Sequence, residues 1–350
     1  MTETSGVSEQ VQGASADEEI RIGISACLLG QEVRFDGGHK RDRFATETLS
    51  KFVQFVPVCP EMEIGLGTPR ETLHLEGEEN AIQLVTTRTR RSLTDTMNRW
   101  AQSRVEQLER SDLCGFILKK DSPSCGMARV RLFPSGGQGV PSREGVGLFA
   151  RALMEQQPSL PIEEEGRLQD PKLREHFCER VFAYRRLKTL FAGAWEIGGL
   201  LAFHAREELL LRAHDPVGLV ELDRLLACAR GLEEEELERR YREGFMASLR
   251  RPATRGTVTS VLQHAIRSLA DPLDEDSRQE LLARIAEYRR GIIPLLIPVT
   301  LLAHHARQHR IERLLGQTFL EPHPRELLLR DPVGSEGGFG EGAAEEEGDP

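Results

Sequence analysis

The chain has 350 residues and a formal net charge of −10, with 46 Lys and Arg against 56 Asp and Glu. That balance argues against general binding to nucleic-acid backbone and leaves room only for local basic patches. No apolar run is long enough to span a bilayer, and the length admits two domains, each with its own core.

Residues 1–19 carry almost no large apolar side chains and are expected to be disordered. They have neither the basic start nor the apolar stretch of a signal peptide, which points to the cytoplasm. Thiols stay reduced there, so cysteines serve metals or catalysis more often than disulfides. Residues 20–26 (IRIGISA) read as a first strand that runs into Cys27, and VRFDGGHK at 33–40 sets an Asp-Gly-Gly turn among cationic and aromatic side chains. A helix over 46–52 leads to a second strand, 52–58. Pro60 cannot donate to a sheet ladder, so that strand stops with Cys59 at its C-terminal tip; Pro57 must fall where no ladder bond is needed. Glu61 follows, then a Gly-rich loop ending in Pro69, Arg70 and Glu71.

Residues 81–86 are strand-like, and Ser92 or Thr94 can cap a helix reaching to 110, with Met97, Trp100, Ala101, Val105 and Leu108 on its apolar face. A third core strand, 114–118, runs through Lys119 and Lys120 into Ser122, Pro123, Ser124, Cys125 and Gly126. A Gly-rich stretch (134–147), a helix (147–155) and a brief strand (160–162) complete an α/β domain over 20–170, its parallel sheet covered on both faces. Amphipathic segments near 173–190, 194–213, 216–231, 237–249, 257–270, 277–301 and 311–315 then predict an all-helical second domain, 171–330, with 322–330 extended. The Gly- and Glu-rich tail, 331–350, is expected to be disordered.

In open parallel sheets, ligands bind outside the carboxyl ends of the strands. Cys27, Cys59 and Cys125 all fall on that edge, and three thiolates suit zinc or an iron–sulfur cluster. A cubane cluster normally takes four cysteines; with three, one iron stays open to a substrate atom as a Lewis acid. Zinc would need a fourth ligand, for which His39 and His74 are the candidates, and its cysteines usually come in close pairs that this chain lacks. The plain alternative is three buried, unliganded cysteines. Cys114, Cys178 and Cys228 suit core packing.

CLLG at 27–30, VRFDGGHK at 33–40, VCPEMEIGLGTPRE at 58–71, KKDSPSCG at 119–126 and EEGRL at 164–168 occur in this order. Together they resemble the thiouracil desulfurase family over about residues 20–177. The resemblance implies a [4Fe–4S] cluster held by Cys27, Cys59 and Cys125, and removal of sulfur from a thiolated pyrimidine or its nucleotide. Glu61, beside a ligand cysteine, is then the first candidate to activate water. Glu71 is the second, with a structural ion pair to Arg70 or another loop cation as its other reading. Ser122 and Ser124 either hydrogen-bond substrate or cluster or serve as turn residues. Arg34, His39, Lys40 and Lys119 would receive a nucleotide phosphate, or are solvated charges; Arg70 and Glu71 join them as candidate substrate contacts. The rival reading is an iron–sulfur or zinc module that senses or binds a partner without catalysis.

Residues 191–204, 244–249, 253–264, 289–305 and 317–330 resemble the YbgA-type helical domain. This copy departs from the pattern at Glu207 and Glu208, where the family has His-Lys, and at Ser260, where it has Asn. His204, His264, His304 and His305 are candidates to cluster between helices, and His305 with His309 to share one face, as metal ligands or as hydrogen-bonded histidines. Trp195 and Phe203 read as packing residues. Oligomerisation, substrate capture and partner binding are all open to this half.

Overall fold

The computed structural model describes residues 19–78, 81–269 and 273–330. The segments expected to be disordered therefore lie, apart from Glu19, outside the described residues.

In chain order the first half builds β1 (Ile20–Ser25), β2 (Val53–Val58), α1 (Pro60–Glu63), β3 (Leu73–Glu76), β4 (Gln83–Thr86), α2 (Thr94–Glu109), β5 (Leu113–Leu118), β6 (Val130–Phe133), β7 (Ser142–Gly145), α3 (Leu148–Gln156) and β8 (Ile162–Glu164). Four strands form a wholly parallel sheet in the order β2-β1-β5-β8. Being an edge strand, β2 tolerates Pro57. One face of the sheet packs on Ala101, Val105 and Leu108 of α2 and on Phe149 and Leu153 of α3. The other packs Ile22, Ile24 and Ile117 against Phe177, Cys178 and Val181 of the next helix. Gly23 is required by this packing, because a Cβ there would lie 2.2 Å from the ring of Phe116.

A second, mixed sheet runs β4-β3-β6-β7. The sequence reading found β4 alone of these: all four are four residues long, too short for a period to show, and β3, β6 and β7 lie in loop-like, charge- or Gly-rich surroundings. The helix expected before β2 is present, but as a π-helical segment (Phe44–Thr48) continued by a 3-10 turn (Leu49–Lys51) rather than an α-helix. One expectation gives way. No side chain caps α2; the Thr94 hydroxyl instead accepts from the Leu84 N–H at 2.9 Å, tying helix to sheet.

The second half is helical: α4 (Pro171–Leu190), α5 (Ile197–His214), α6 (Pro216–Ala227), α7 (Glu234–Leu249), α8 (Arg255–Arg267), α9 (Glu275–Arg290), α10 (Leu296–Gln308) and α11 (Glu312–Leu315). What reads as one helix over 277–301 is two, because Gly291 closes α9 in the left-handed conformation, φ 80°, and Pro294 precedes α10. The stretch 322–330 is not extended. It makes a 3-10 turn, Arg325–Leu327, buries Leu327 against the parallel-sheet core, and sends Arg330 to Glu175 and Glu179 of α4. Cys114 and Cys178 are buried as expected, but Cys228, at the end of α6, is exposed. No helix among the described residues is long and apolar enough to cross a membrane.

Candidate functional site

Because β1, β2 and β5 are parallel, their carboxyl ends share one edge, and the loops leaving it carry Cys27, Cys59 and Cys125. All three line one cavity of about 340 Å³. Burial raises each thiol's pKa: Cys27 to about 11, with Lys119 opposing, and Cys59 to about 12, with the charge of Glu61 adding to the effect. Cys125, the most enclosed, is pushed well above the ordinary thiol range, again by burial and then by Glu61. Charge on Cys27 acts to raise the pKa of Cys59, and charge on either acts to raise that of Cys125. Free thiols here keep their protons at neutral pH, and a bound metal centre would displace them.

Among the described residues no three His, Cys, Asp or Glu side chains are placed to hold one metal ion. His39 lies outside the cavity lining, and its Nδ1 accepts from the Arg41 N–H at 3.3 Å. His74 is engaged in the second sheet, 3.4 Å from Glu76 and 3.1 Å from Arg90. Neither closes a zinc site. A single zinc draws every thiolate to about 2.3 Å from one point. A cluster instead takes each thiolate on a different iron, and three thiols spaced around one cavity fit that donor set.

Buried carboxylates cluster at the end of β8, and two of them, Glu164 and Glu165, hold the loop carrying Cys125. Glu163 takes Arg167 at 2.6 Å, Glu164 accepts the Met127 N–H at 2.9 Å, and Glu165 holds both Lys119 Nζ and the Lys120 N–H. Ser122 does turn chemistry: its hydroxyl accepts the N–H groups of Ser124 at 3.2 Å and Cys125 at 3.1 Å. Ser124 is fully buried, lies outside the cavity lining, and its hydroxyl has no protein partner. Gly147 packs so closely on this loop that a Cβ would sit 2.5 Å from the Ser124 carbonyl. Ser25, which the sequence reading passed over, is central: its hydroxyl accepts the Lys119 N–H at 3.0 Å and acts to lower the pKa of the Cys125 thiol against burial. Its position at the last residue of β1 was the available signal.

Glu61 lies beside the thiols, with Cys59 Sγ donating to its Oε2 at 3.6 Å. Arg34, Lys40, Arg70, Glu71 and Lys119 also line the cavity. Arg70 braces two loops, donating to the carbonyls of Val33 and Gly67, each at 2.9 Å. Glu71 does not pair with Arg70. Burial acts to raise its pKa, but hydrogen bonds from Thr89 and the Arg88 N–H outweigh that and lower it.

In the helical half the four candidate histidines do not meet as metal ligands. His204 bridges the Tyr241 hydroxyl at 2.9 Å and Asp223 at 3.0 Å, whereas His264 lies 3.8 Å from Glu208. His304 and His305 have ring centroids 5.4 Å apart. Glu207, one of the departures noted above, is fully buried and binds Arg186 and the Thr318 hydroxyl. Trp195 and Phe203 pack on Phe191 and Tyr241.

Residues 22–165 match the 2-thiouracil desulfurase family, and residues 208–324 a family described as a protein of unknown function (DUF1722). The uncharacterised protein YbgA of Escherichia coli (strain K12) is 31% identical over 152 residues, 43% of this chain and 90% of YbgA. The uncharacterised protein YbbK of Bacillus subtilis (strain 168) is 32% identical over 111 residues, 29% of this chain and 71% of YbbK. A solved structure, that of the [4Fe-4S]-dependent thiouracil desulfidase TudS, is 28% identical, covering 43% of this chain and 95% of that one with a TM-score of 0.35.

Proposed function

Since the chain belongs to the 2-thiouracil desulfurase family through its first half and to the DUF1722 family of YbgA through its second, we propose that it is an iron–sulfur-dependent desulfidase. Its substrate is a thiolated pyrimidine or the corresponding nucleotide. The observation that carries this reading is the convergence of Cys27, Cys59 and Cys125 on one cavity beside Glu61. These cysteines would hold a [4Fe–4S] cluster with one iron free of protein ligands, which supplies a Lewis acid for a thiocarbonyl sulfur.

The reaction is hydrolytic. Water oxygen bonds to the thiocarbonyl carbon, the carbon–sulfur bond breaks, and both water protons leave with sulfur as hydrogen sulfide. No electrons are transferred, so no reductant is consumed. Glu61 accepts the proton of the attacking water and returns it to the departing sulfur. Arg34, Lys40 and Arg70 place positive charge on the cavity wall, suited to a nucleotide phosphate, while Val33, Val58 and Leu73 limit water. The α/β unit, 20–170, performs the chemistry, and the helical unit, 171–330, has an accessory role.

Anaerobically purified protein should be brown, contain iron and sulfide, and bleach the thiocarbonyl absorbance of 2-thiouracil while releasing an equal amount of sulfide. Colourless, zinc-loaded protein would overturn the cofactor. Iron-loaded protein that leaves the absorbance intact would favour the sensing module over the enzyme.

A further inference from the structure

We infer that Phe35 is the platform on which the substrate ring lies, so that the site selects flat heteroaromatic thiones over puckered ones. The substrate class rests on the desulfidase reading above; the geometry of the platform does not. Phe35 lines the thiol cavity and is its sole aromatic side chain among the described residues. Its surface is 40% exposed, whereas the core rings Phe116 and Phe149 are fully buried. A large apolar ring left in water at a cavity mouth gains free energy when a flat ligand covers it.

The platform is also held in place. The Arg34 N–H donates to the Gly38 carbonyl at 3.2 Å, and the Gly37 N–H returns to the Arg34 carbonyl at 3.0 Å. The Thr68 hydroxyl donates to that same Arg34 carbonyl at 2.9 Å, and the Arg70 N–H donates to the Phe35 carbonyl at 2.8 Å. The Arg34 guanidinium carbon lies 5.3 Å from the ring centroid, close enough for a cation–π contact that restrains the side chain. The apolar remainder of the wall, Val33, Val58, Pro60, Leu73 and Pro123 among it, is aliphatic and offers no comparable flat face.

The pair uracil and 5,6-dihydrouracil isolates the effect. Both present the same amide donors and acceptors, but the dihydro ring has two tetrahedral carbons and cannot lie flat on an aromatic face. Equilibrium dialysis with cluster-loaded parent should show uracil bound about tenfold more tightly, within the range of one base–aromatic stack. Phe35→Leu should bring the ratio close to one, and Phe35→Trp should keep or widen it, with iron content measured in each. The corresponding 2-thio pair should show the same order in kcat/KM, carried by KM rather than kcat. An equal affinity for both rings in the parent, or a preference unchanged by Phe35→Leu, overturns the platform. If Phe35→Leu does not fold, a smaller ratio in Phe35→Trp than in the parent overturns it. A parent that prefers uracil yet does not consume 2-thiouracil would sink the desulfidase reading and leave the platform standing.

Discussion

Glu165 holds Lys119 at 2.5 Å through one carboxylate oxygen and the N–H of the next residue, Lys120, at 2.7 Å through the other. A single buried side chain thus anchors the start of the loop that delivers Cys125. Lys119 in turn is the largest electrostatic influence on Cys27 after burial itself, so the same pair acts on two of the three thiols. Glu165→Ala strands a partly buried ammonium and frees the loop, at a cost of about 3 kcal/mol. Iron content after anaerobic reconstitution should fall several-fold, while Glu326→Ala, loss of a carboxylate on a 3-10 turn that does not line the cavity, leaves it at the parent level. Equal iron in both would show that this carboxylate does not position the loop.

The cofactor assignment separates cavity cysteines from core cysteines. Cys59→Ala should reduce bound iron to a small fraction of parent. Cys178→Ala, buried between α4 and the sheet, should cost about 1–2 kcal/mol of stability through the lost sulfur but keep its iron. Iron analysis and urea unfolding measured on the same preparations distinguish the two losses.

Glu61→Gln tests the water-activating carboxylate. The amide preserves size and the contact with Cys59 but cannot take a proton. Visible absorption should match the parent, and kcat for 2-thiouracil should drop by about 100-fold or more. Turnover within a factor of two of the parent would remove Glu61 from the reaction.

A pH signature should appear in the helical half, where a buried histidine and a half-buried carboxylate shift in opposite senses. Burial lowers the pKa of His176 to about 4, and its ring hydrogen-bonds the Leu249 carbonyl at 2.8 Å. The unfolded chain takes up a proton below the ordinary value of 6.5 that the folded histidine refuses, so its contribution to stability rises with pH between about 4 and 6.5. Glu175 behaves in reverse. Burial and the nearby Glu179 charge raise its pKa to about 7, so the folded form keeps a proton that the unfolded chain loses above 4.5. That stability is complete below about 4.5 and disappears as pH climbs to about 7. Relative to parent, His176→Gln should lose stability as pH rises through this window, and Glu175→Gln should gain it. Difference curves with no slope, from urea unfolding at stepped pH, would refute the assignment.

Local chemistry reported faithfully wherever one short segment was enough to decide the outcome. Pro60 ends β2 whatever surrounds it, which placed Cys59 at a strand tip, and Ile20, Ile22 and Ile24 marked β1 by their β-branched content. The helices α4 to α8 followed from apolar spacing. Errors collected where a distant neighbour decides. Thr94 was available as a cap but is used by Leu84, and the 322–330 segment folds back because α4 offers Arg330 two carboxylates. Ser25 carried no mark as a site residue and Glu165 only its place in the EEGRL stretch, since a hydroxyl or carboxylate acquires a role only from what it faces.

By itself, then, the amino-acid order determined the core parallel strands, the helical character of the second half and the strand ends at which the three cysteines sit, because those depend on backbone propensity and side-chain periodicity. Only the tertiary structure decided that the thiols line one cavity without a histidine to close it, that Glu61 stands beside them, and that Phe35 is the ring left uncovered at the mouth. Those facts depend on which strand lies next to which and on what each burial leaves unpaired, relations between segments that no stretch of sequence contains.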